Sequence, residues 1–379
     1  MKLFVTGDNH IGRRFDSMPD IRAQLIASRF ASFEGMVKRA EAEGCDFFVI
    51  TGDLFDRISG ITKTDMVRTI DILSEFSGRI LVLPGNHDYY TGDEKVWQDF
   101  ESYAAAHTNI ILLKEYRVYP FELEGETLEV YPAFCDSHYG KENRLGWIRG
   151  ALAEAPDRED CYRVGIAHGA LESVTPDMKG VYFPMGLTEL NAIPVDAWLI
   201  GHTHIPYPKL EAEKELGGYR IFNAGTHEQL DLHNDTEGNA FVITLTQQDG
   251  ITSVTSKRII TGAMHYYDLS CRLSAAEETR LAEALGELLA PCEDASVVRV
   301  HLSGSLSAGD YEERYAIAKA AGARFLHCEI LLEDLTEEIT MEKIREEYSE
   351  LSFASRFLEE LLGDPLELQM AYELVKKCE

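Results

Sequence analysis

Short runs of apolar and β-branched residues recur through the first two thirds of the chain, and stretches of helical periodicity separate them. A bounded run of this length is typical of a buried strand. Between the first two runs, apolar residues at intervals of three and four create one apolar helix face. The alternation predicts a layered α/β domain. The predicted strands cover residues 3–6, 47–50, 80–83, 164–167 and 197–200, and the helix face consists of Leu25, Ile26, Phe30, Phe33, Met36, Val37 and Ala40.

Four further runs in the same part of the chain predict additional strands. They cover residues 110–113, 128–133, 220–223 and 241–245. We expect these strands to continue the sheet as a second, partly antiparallel layer, with helices covering the outside. The predicted fold class is therefore α/β, a layered β-sandwich flanked by helices.

The motif-bearing part ends near residue 265, and a second unit begins with Tyr266 and Tyr267. Ser274 and Glu277 have the spacing of a capping box, which predicts a helix that begins near residue 275. We expect a small α/β cap over residues 266–339. Its other predicted elements are a strand over 297–302, a helix over 311–321 and a strand over 325–332.

A terminal segment over residues 340–379 is predicted to be helical, with an interruption at Gly363-Asp364-Pro365. Its apolar anchors include Leu351, Phe353, Phe357 and Leu361. These side chains either bury a stripe against a partner helix or pack onto the chain's own cap, and the sequence leaves both interpretations open. The three predicted regions are thus 1–265, 266–339 and 340–379.

Composition indicates an ordinary globular protein, with 45% hydrophobic and 27% charged residues. No apolar run approaches the roughly 18 to 20 residues of a membrane span, and the apolar start is too short for a signal peptide. The seven cysteines are an odd number and include no C-x-x-C pair. Reduced thiols and a cytoplasmic location are therefore expected.

The net charge of −29 bears on the substrate. Nucleic-acid-binding proteins usually present a basic face, so a chain this acidic would repel a polyanion. Bound divalent cations would reverse the sign of the charge inside a cleft. The charge therefore counts against a DNA substrate without excluding one.

Five short polar motifs each follow a predicted strand. In open α/β sheets ligands bind at the carboxyl ends of the strands, so five such loops would meet in one crevice. We expect nearly extended backbone within the first and last motifs, which would project their paired side chains to the same side. The motifs are Asp8-Asn9-His10, Gly52-Asp53, Gly85-Asn86-His87-Asp88, Ala167-His168-Gly169 and Gly201-His202-Thr203-His204.

These side chains are the oxygen and imidazole ligands that a pair of divalent cations needs. A single histidine after a strand is more often structural, and Gly-Asp is common in turns. Turn formation does not explain the whole ordered set, which predicts two metals sharing the Asp53 carboxylate, about 3.5 to 4 Å apart. The first metal is assigned to Asp8, His10, Asp53 and His204, and the second to Asp53, Asn86, His168 and His202.

The five motifs resemble those of the calcineurin-like metallophosphoesterases, whose D-x-H, G-D, G-N-H-[DE], H and G-H-x-H blocks the chain matches in order. The resemblance implies the metallophosphoesterase fold and the same metal assignment. It also implies that His87 binds no metal and acts in catalysis, and that Asp88 helps to orient His87.

Within that superfamily, residues 1–250 are most similar to the SbcD-type nuclease subunits of double-strand-break repair complexes. The similarity rests on the sequences around Asp8, Asp53 and Asn86. It implies hydrolysis of DNA phosphodiester bonds by exonuclease or endonuclease action, with His87 protonating or stabilising the departing 3′ oxygen. Manganese is the metal implied by the resemblance, and the ligand types also allow iron or zinc. Candidate partners are DNA, an SbcC-type coiled-coil ATPase and a second copy of the chain.

Two other functions share the same fold. A phosphodiesterase or pyrophosphatase that acts on a nucleotide or another small phosphodiester would need every one of these metal ligands. A non-catalytic scaffold would also keep the fold. The complete ligand set disfavours the scaffold, and the additional C-terminal unit favours DNA over a small substrate.

Overall fold

The structure is a computed structural model that describes residues 1–378 except 156–160, 176, 178, 234, 235 and 276–279. Two compact units make up the chain, residues 1–266 and residues 267–379. Among the described residues, no helix combines the length and the apolar character needed to cross a membrane.

The strands of the first unit lie close to the predicted positions and are more numerous than predicted. They are β1 (Lys2–Thr6), β2 (Phe47–Ile50), β3 (Arg79–Val82), β4 (Ile110–Leu112), β5 (Tyr119–Leu123), β6 (Glu126–Ala133), β7 (Cys161–His168), β8 (Ala197–Gly201), β9 (Glu215–Gly217), β10 (Ile221–Asn223), β11 (Asn239–Gln248) and β12 (Ile251–Ile260).

Helices connect the strands of the first unit. The first of them contains the predicted apolar face, and its residues Phe30, Phe33, Met36 and Val37 are buried. The helices are α1 (Arg22–Ala42), α2 (Lys63–Ser74), α3 (Lys95–Ala104), α4 (Gly146–Glu154) and α5 (Leu187–Asn191).

Two sheets form a sandwich in this unit. The first has the order β4-β3-β2-β1-β11-β12-β9, and the second has the order β10-β8-β7-β6-β5. The strands β1 to β4 are mutually parallel, as are β6, β7, β8 and β10, whereas β11 joins β1 in antiparallel orientation. The parallel strands of each sheet therefore bring their carboxyl ends to one edge.

The core explains why these runs form strands buried on both faces. Val5 and Val49 from the first sheet pack with Val164 and Leu199 from the second between the layers. On the outer face of the first sheet, Phe48 contacts the cluster that includes residues of α1, α2 and α3. The outer face of the second sheet packs against α4 and α5. This arrangement confirms the predicted layered β-sandwich flanked by helices.

The second unit contains a three-stranded sheet of β13 (Tyr266–Leu273), β14 (Val297–Leu306) and β15 (His327–Glu337), with β14 central. The helices α6 (Leu281–Leu289) and α7 (Ala308–Ala321) pack on it. Glu277 of the predicted capping box and the residues beside it lie outside the described residues, and α6 begins at Leu281 in the part of this region that the structure describes.

Three short helices end the chain, namely α8 (Met341–Glu347), α9 (Phe353–Glu360) and α10 (Pro365–Cys378). The interruption predicted at residues 363–365 is confirmed, because α9 ends at Glu360 and α10 begins at Pro365, a position that proline favours. The helices share a small apolar cluster around Ile344 and Leu358. These elements confirm the expected C-terminal α/β unit with terminal helices.

Candidate metal centre

The polar motifs lie at the carboxyl ends of parallel strands, on the edge where ligands bind in sheets of this kind. Asp8 and His10 follow β1, Asp53 follows β2, and Asn86 follows β3. In the second sheet, His168 is the last residue of β7, and the motif with His202 and His204 follows β8. The structure brings all seven predicted metal ligands to one place.

The backbone reaches this arrangement differently from our expectation. Asp8 and His10 have φ values of 48° and 45°, and His202 has a φ of 94°, so these segments are not the extended chain that we expected. Asp53 has a φ of 53°. Left-handed conformations at residues other than glycine cost about 1 to 3 kcal/mol each and concentrate at functional sites. Left-handed backbone turns, rather than extended strands, therefore orient these side chains.

One group of potential ligands combines Asp8, His10 and His204, whose ligand atoms lie within 4.8 Å of one another. His10 Nε2 is 3.3 Å from His204 Nε2, and His204 Nε2 is 3.8 Å from Asp8 Oδ1. Asp53 Oδ2 lies 4.0 Å from His10 Nε2. This group could hold one divalent cation.

A second group combines Asp53, His168 and His202, again with ligand atoms within 4.8 Å. The amide oxygen of Asn86 completes it, at 3.0 Å from His168 Nε2 and 2.8 Å from His202 Nδ1. Asp53 Oδ2 is 3.3 Å from His168 Nε2. The same carboxylate oxygen thus borders both groups, which is the position that a bridging ligand requires.

Burial determines the electrostatics of these ligands. It raises the pKa of Asp8 to about 8. It lowers the pKa of His202 to about 3 and holds the pKa values of His10 and His204 below the usual range. A buried carboxylate needs a nearby cation, and neutral imidazoles have the free lone pair that a metal requires.

Asp53 and His168 form a buried ion pair, with Asp53 Oδ2 3.3 Å from His168 Nε2. Burial opposes charge on both, but their mutual attraction prevails, so the pKa of Asp53 lies well below its usual value and the pKa of His168 rises to about 9. A metal ion would take the place of the imidazole proton beside Asp53.

The donor atoms at this site are of the types that two divalent cations would bind. Two imidazole nitrogens converge on the Asn86 amide oxygen, while its buried Nδ2 has no hydrogen-bond partner among the described residues. An amide held with its oxygen inward is suited to bind a metal. The backbone around the site also orients the ligands, because the Thr51 carbonyl accepts from His168 Nδ1 at 2.9 Å.

His87 lies beside the metal ligands without joining either group. Its backbone N–H donates to Asp53 Oδ1 at 2.8 Å, and its Nδ1 lies 3.0 Å from the carbonyl oxygen of Asp56. The Asp88 carboxylate instead accepts the backbone N–H groups of Phe55 and Gly85, at 2.9 and 2.7 Å. The contact that orients the His87 ring therefore comes from Asp56, where we expected Asp88, and Asp88 holds the two loops together.

Three residues at the site were not identified from the sequence. His138 and Tyr139 lie in the loop after β6, and His138 Nδ1 is 2.8 Å from the carbonyl oxygen of Asn86. Tyr182 lies with its ring 4.9 Å from that of His202. The position of His138 after a strand was the available signal, because β6 is parallel to β7 and ends at the same edge.

Comparison with curated proteins gives two relatives. An "Uncharacterized metallophosphoesterase YhaO" of Bacillus subtilis is 27% identical over 187 residues, which are 48% of this chain and 43% of that protein. The chain therefore matches less than half of the length of this relative. A "DNA double-strand break repair protein Mre11" of Archaeoglobus fulgidus is 22% identical over 99% of this chain and 84% of its own length.

Solved structures with partial similarity include a calcineurin-like phosphoesterase, YfkN of Bacillus subtilis, at 13% identity and a TM-score of 0.41 over 69% of this chain and 90% of that one. TT1561 of Thermus thermophilus is 12% identical with a TM-score of 0.39, over 67% of this chain and 97% of that one. The family model for calcineurin-like phosphoesterases matches residues 1–206, more than half of the chain. The chain belongs to the calcineurin-like phosphoesterase family, whose fold implies divalent metal ions.

Proposed function

We propose that this phosphoesterase hydrolyses phosphodiester bonds of DNA, as an exonuclease or endonuclease that acts in double-strand-break repair. The observation that carries the hydrolytic part is the position of Asp53 Oδ2 between two groups of potential metal ligands. The DNA part is supported by the similarity to the Mre11 protein, which extends over 99% of this chain.

The proposed metal assignment follows the two groups. Manganese is proposed as the working metal, and the mixture of carboxylate, amide and imidazole ligands also suits iron or zinc. When bound, the two cations supply stabilisation of the phosphate charge and activation of the attacking water. Asp8, His10, Asp53 and His204 would hold one metal, and Asp53, Asn86, His168 and His202 would hold the other.

His87 is proposed as the residue that assists the leaving group. It lines the same cleft as Asp53, Asn86 and His202. Because its Nδ1 faces the Asp56 carbonyl oxygen, Nδ1 carries the hydrogen and Nε2 is the nitrogen left for the substrate. With a second proton on Nε2, the ring can donate that proton to the departing oxygen and return to the neutral form with its hydrogen on Nδ1.

A row of aromatic rings beside the metal ligands supports a substrate that contains nucleobases. The ring centroids of His87 and His138 are 5.2 Å apart, those of His138 and Tyr139 are 4.4 Å apart, and those of Tyr139 and Tyr182 are 5.4 Å apart. Tyr139 is 58% exposed. Exposed rings of this kind stack on the bases of single-stranded nucleic acid.

The alternative substrate is a nucleotide or another small phosphodiester, and the net charge of −29 favours it. Manganese-dependent cleavage of end-labelled DNA, measured beside bis-p-nitrophenyl phosphate, separates the two. The proposal predicts cleavage of both substrates. Hydrolysis of the small diester with intact DNA would overturn the DNA assignment and leave the phosphodiesterase.

The terminal helices are proposed to dock an SbcC-type coiled-coil ATPase, and a second copy of the chain is the other candidate partner. Leu351 and Phe353 are 80% and 81% exposed, whereas Leu361 packs against the apolar cluster of the terminal helices, so the proposed docking face rests on the first two. The Phe353 and Phe357 rings stack 5.6 Å apart on one face of α9. An exposed apolar stripe on a helix suits a helical partner.

A further inference from the structure

A second cavity, of about 610 Å³, opens beside the metal centre and has no role in the chemistry described above. His87, Leu230 and Asp231 line both this cavity and the cleft that contains the metal ligands. The second cavity and the cleft with the metal ligands therefore adjoin at His87.

Three arginines line the second cavity. Arg13 and Arg14 come from the loop after β1, and Arg57 comes from the loop after β2. The chain as a whole has 65 acidic and only 36 basic residues, so three arginines around one cavity are a local concentration. We call this group the arginine pocket.

Asp16, Asp56 and Asp231 also line the pocket, so its formal charge is balanced. Asp16 accepts from Arg22, which lies outside the pocket, at 3.1 Å. Asp56 lies 3.5 Å from His10 Nδ1 and 2.9 Å from Arg57. Each of these two carboxylates thus has a cationic or imidazole neighbour.

Asp231 lies 3.7 Å from Arg13, and Asp56 pairs with Arg57. Arg14 is therefore the arginine of the pocket that none of these carboxylates neutralises. Among the described residues, Arg14 forms no ion pair. Its guanidinium lies against Gly60, where a Cβ atom would come within 2.8 Å of Arg14 Nη2. The absence of a side chain at Gly60 thus leaves room for the Arg14 guanidinium. Arginine presents paired donors that match the oxygens of a phosphate.

We infer that Arg14, flanked by Arg13 and Arg57, binds a second phosphate of the substrate, adjacent along the strand to the phosphate at the metal centre. This inference rests on the proposed function and narrows it to substrates with consecutive phosphates. A strand of DNA has such phosphates, whereas a simple diester such as bis-p-nitrophenyl phosphate has only one.

Two matched pairs of chromogenic substrates test the inference. The first is thymidine 5′-(p-nitrophenyl phosphate) with and without a 3′-phosphate, and the second is thymidine 3′-(p-nitrophenyl phosphate) with and without a 5′-phosphate, which covers the opposite strand direction. In one pair the additional phosphate should lower KM by about tenfold, as expected for a charge-assisted hydrogen bond. This gain should shrink in Arg14→Gln and also at high salt.

The control is Arg149→Gln, which removes one positive charge from an exposed arginine of α4 that pairs with Glu189 outside both cavities. It should keep the full gain from the second phosphate. Calorimetry provides a readout independent of turnover, by comparing the affinity for thymidine 3′,5′-bisphosphate with the affinity for the 5′-monophosphate. The additional phosphate should raise the affinity of the wild type and of Arg149→Gln, and should raise that of Arg14→Gln less.

The outcomes separate this inference from the proposed function. Equal KM values within both pairs, or an undiminished gain in Arg14→Gln, would overturn the arginine pocket even if DNA is cleaved. A gain that depends on Arg14 in a protein that leaves DNA intact would support the pocket and overturn the DNA assignment.

Discussion

His10 Nε2 lies 3.3 Å from His204 Nε2, although 194 positions separate the two residues in the chain. Burial lowers the pKa of both imidazoles, so both are neutral and their lone pairs can face the same point. Two such nitrogens cannot approach each other closely as cations. A divalent cation between them and Asp8 is the arrangement that makes this contact favourable.

The bridging role of Asp53 can be tested through metal content. Asp53→Ala should lose both metals, because its carboxylate borders both groups of ligands, whereas His204→Ala should mainly weaken one. Metal analysis of the purified, folded variants measures this. Asp99→Ala, which removes a partly exposed carboxylate of α3 that pairs with Lys95, is the control and should keep both metals. Two metals retained by folded Asp53→Ala would refute the bridge.

His87→Gln separates catalysis from metal binding. The variant should keep both metals and bind DNA nearly as well, because no proposed ligand is lost. Turnover on DNA should fall by about 10²- to 10⁴-fold, the usual contribution of a general acid. The loss should be smaller on an aryl phosphodiester, whose phenolate leaves without a proton. Steady-state kinetics on both substrates, with metal analysis, measures the contrast.

Two results would contradict the role of His87. Equal losses on both substrates would leave it as a group that positions the phosphate. Loss of a metal would show that the proposed ligand assignment is incomplete.

Gly85 is predicted to be required for the position of Asp53. A Cβ atom at Gly85 would overlap Asp53 Oδ1 and the Asp53 backbone nitrogen, so Gly85→Ala should displace the carboxylate. Such overpacking costs about 1 to 3 kcal/mol. The temperature at which the metal-free protein unfolds should fall, and the affinity for metal should fall with it. The matched variant Gly150→Ala lies in α4 with open space around it and should stabilise the fold by about 0.5 to 1 kcal/mol. A Gly85→Ala protein as stable and as metal-rich as the wild type would contradict the geometry.

The terminal helices should be dispensable for small-substrate hydrolysis. Deleting residues 340–379 removes an apolar cluster that is centred on Ile344 and Leu358. Hydrolysis of bis-p-nitrophenyl phosphate should persist, while processing of DNA or association with an SbcC-type ATPase should decline. Loss of the fold after the deletion would favour an internal packing role instead.

A surface variant tests the same docking face without a deletion. Phe353→Ser changes a side chain that is 81% exposed, so it should leave stability unchanged and weaken binding of the ATPase. Ile251→Ser, at an exposed position of β12, is the control for the loss of a surface apolar side chain. Equal binding by both variants in a pull-down with the ATPase would argue against this face as the docking site.

The strands could be predicted because their signal is local. Residues 47–50 form an uninterrupted apolar run that is buried on both faces, and that pattern persists in the structure. The site residues could be predicted because strand ends in a parallel sheet meet at one edge. Both inferences depend on residue type and order, which the sequence provides directly.

The details that could not be predicted depend on backbone geometry and on contacts between distant residues. The residue types of Asp8 and His10 do not indicate their left-handed φ values in the way that a glycine would. The contact that orients His87 comes from the backbone carbonyl of Asp56, and every residue type has such a carbonyl. His138 approaches Asn86 across 52 positions, a distance over which periodicity gives no information.

The most direct test of the two-metal centre is titration of the metal-free protein with Mn²⁺, following bound metal and hydrolysis of bis-p-nitrophenyl phosphate together. The two groups of ligands around Asp53 predict that about two equivalents bind per chain, with little hydrolysis until the second site fills. Full hydrolysis with a single equivalent bound, or undiminished hydrolysis in the presence of a strong chelator, would contradict a two-metal mechanism.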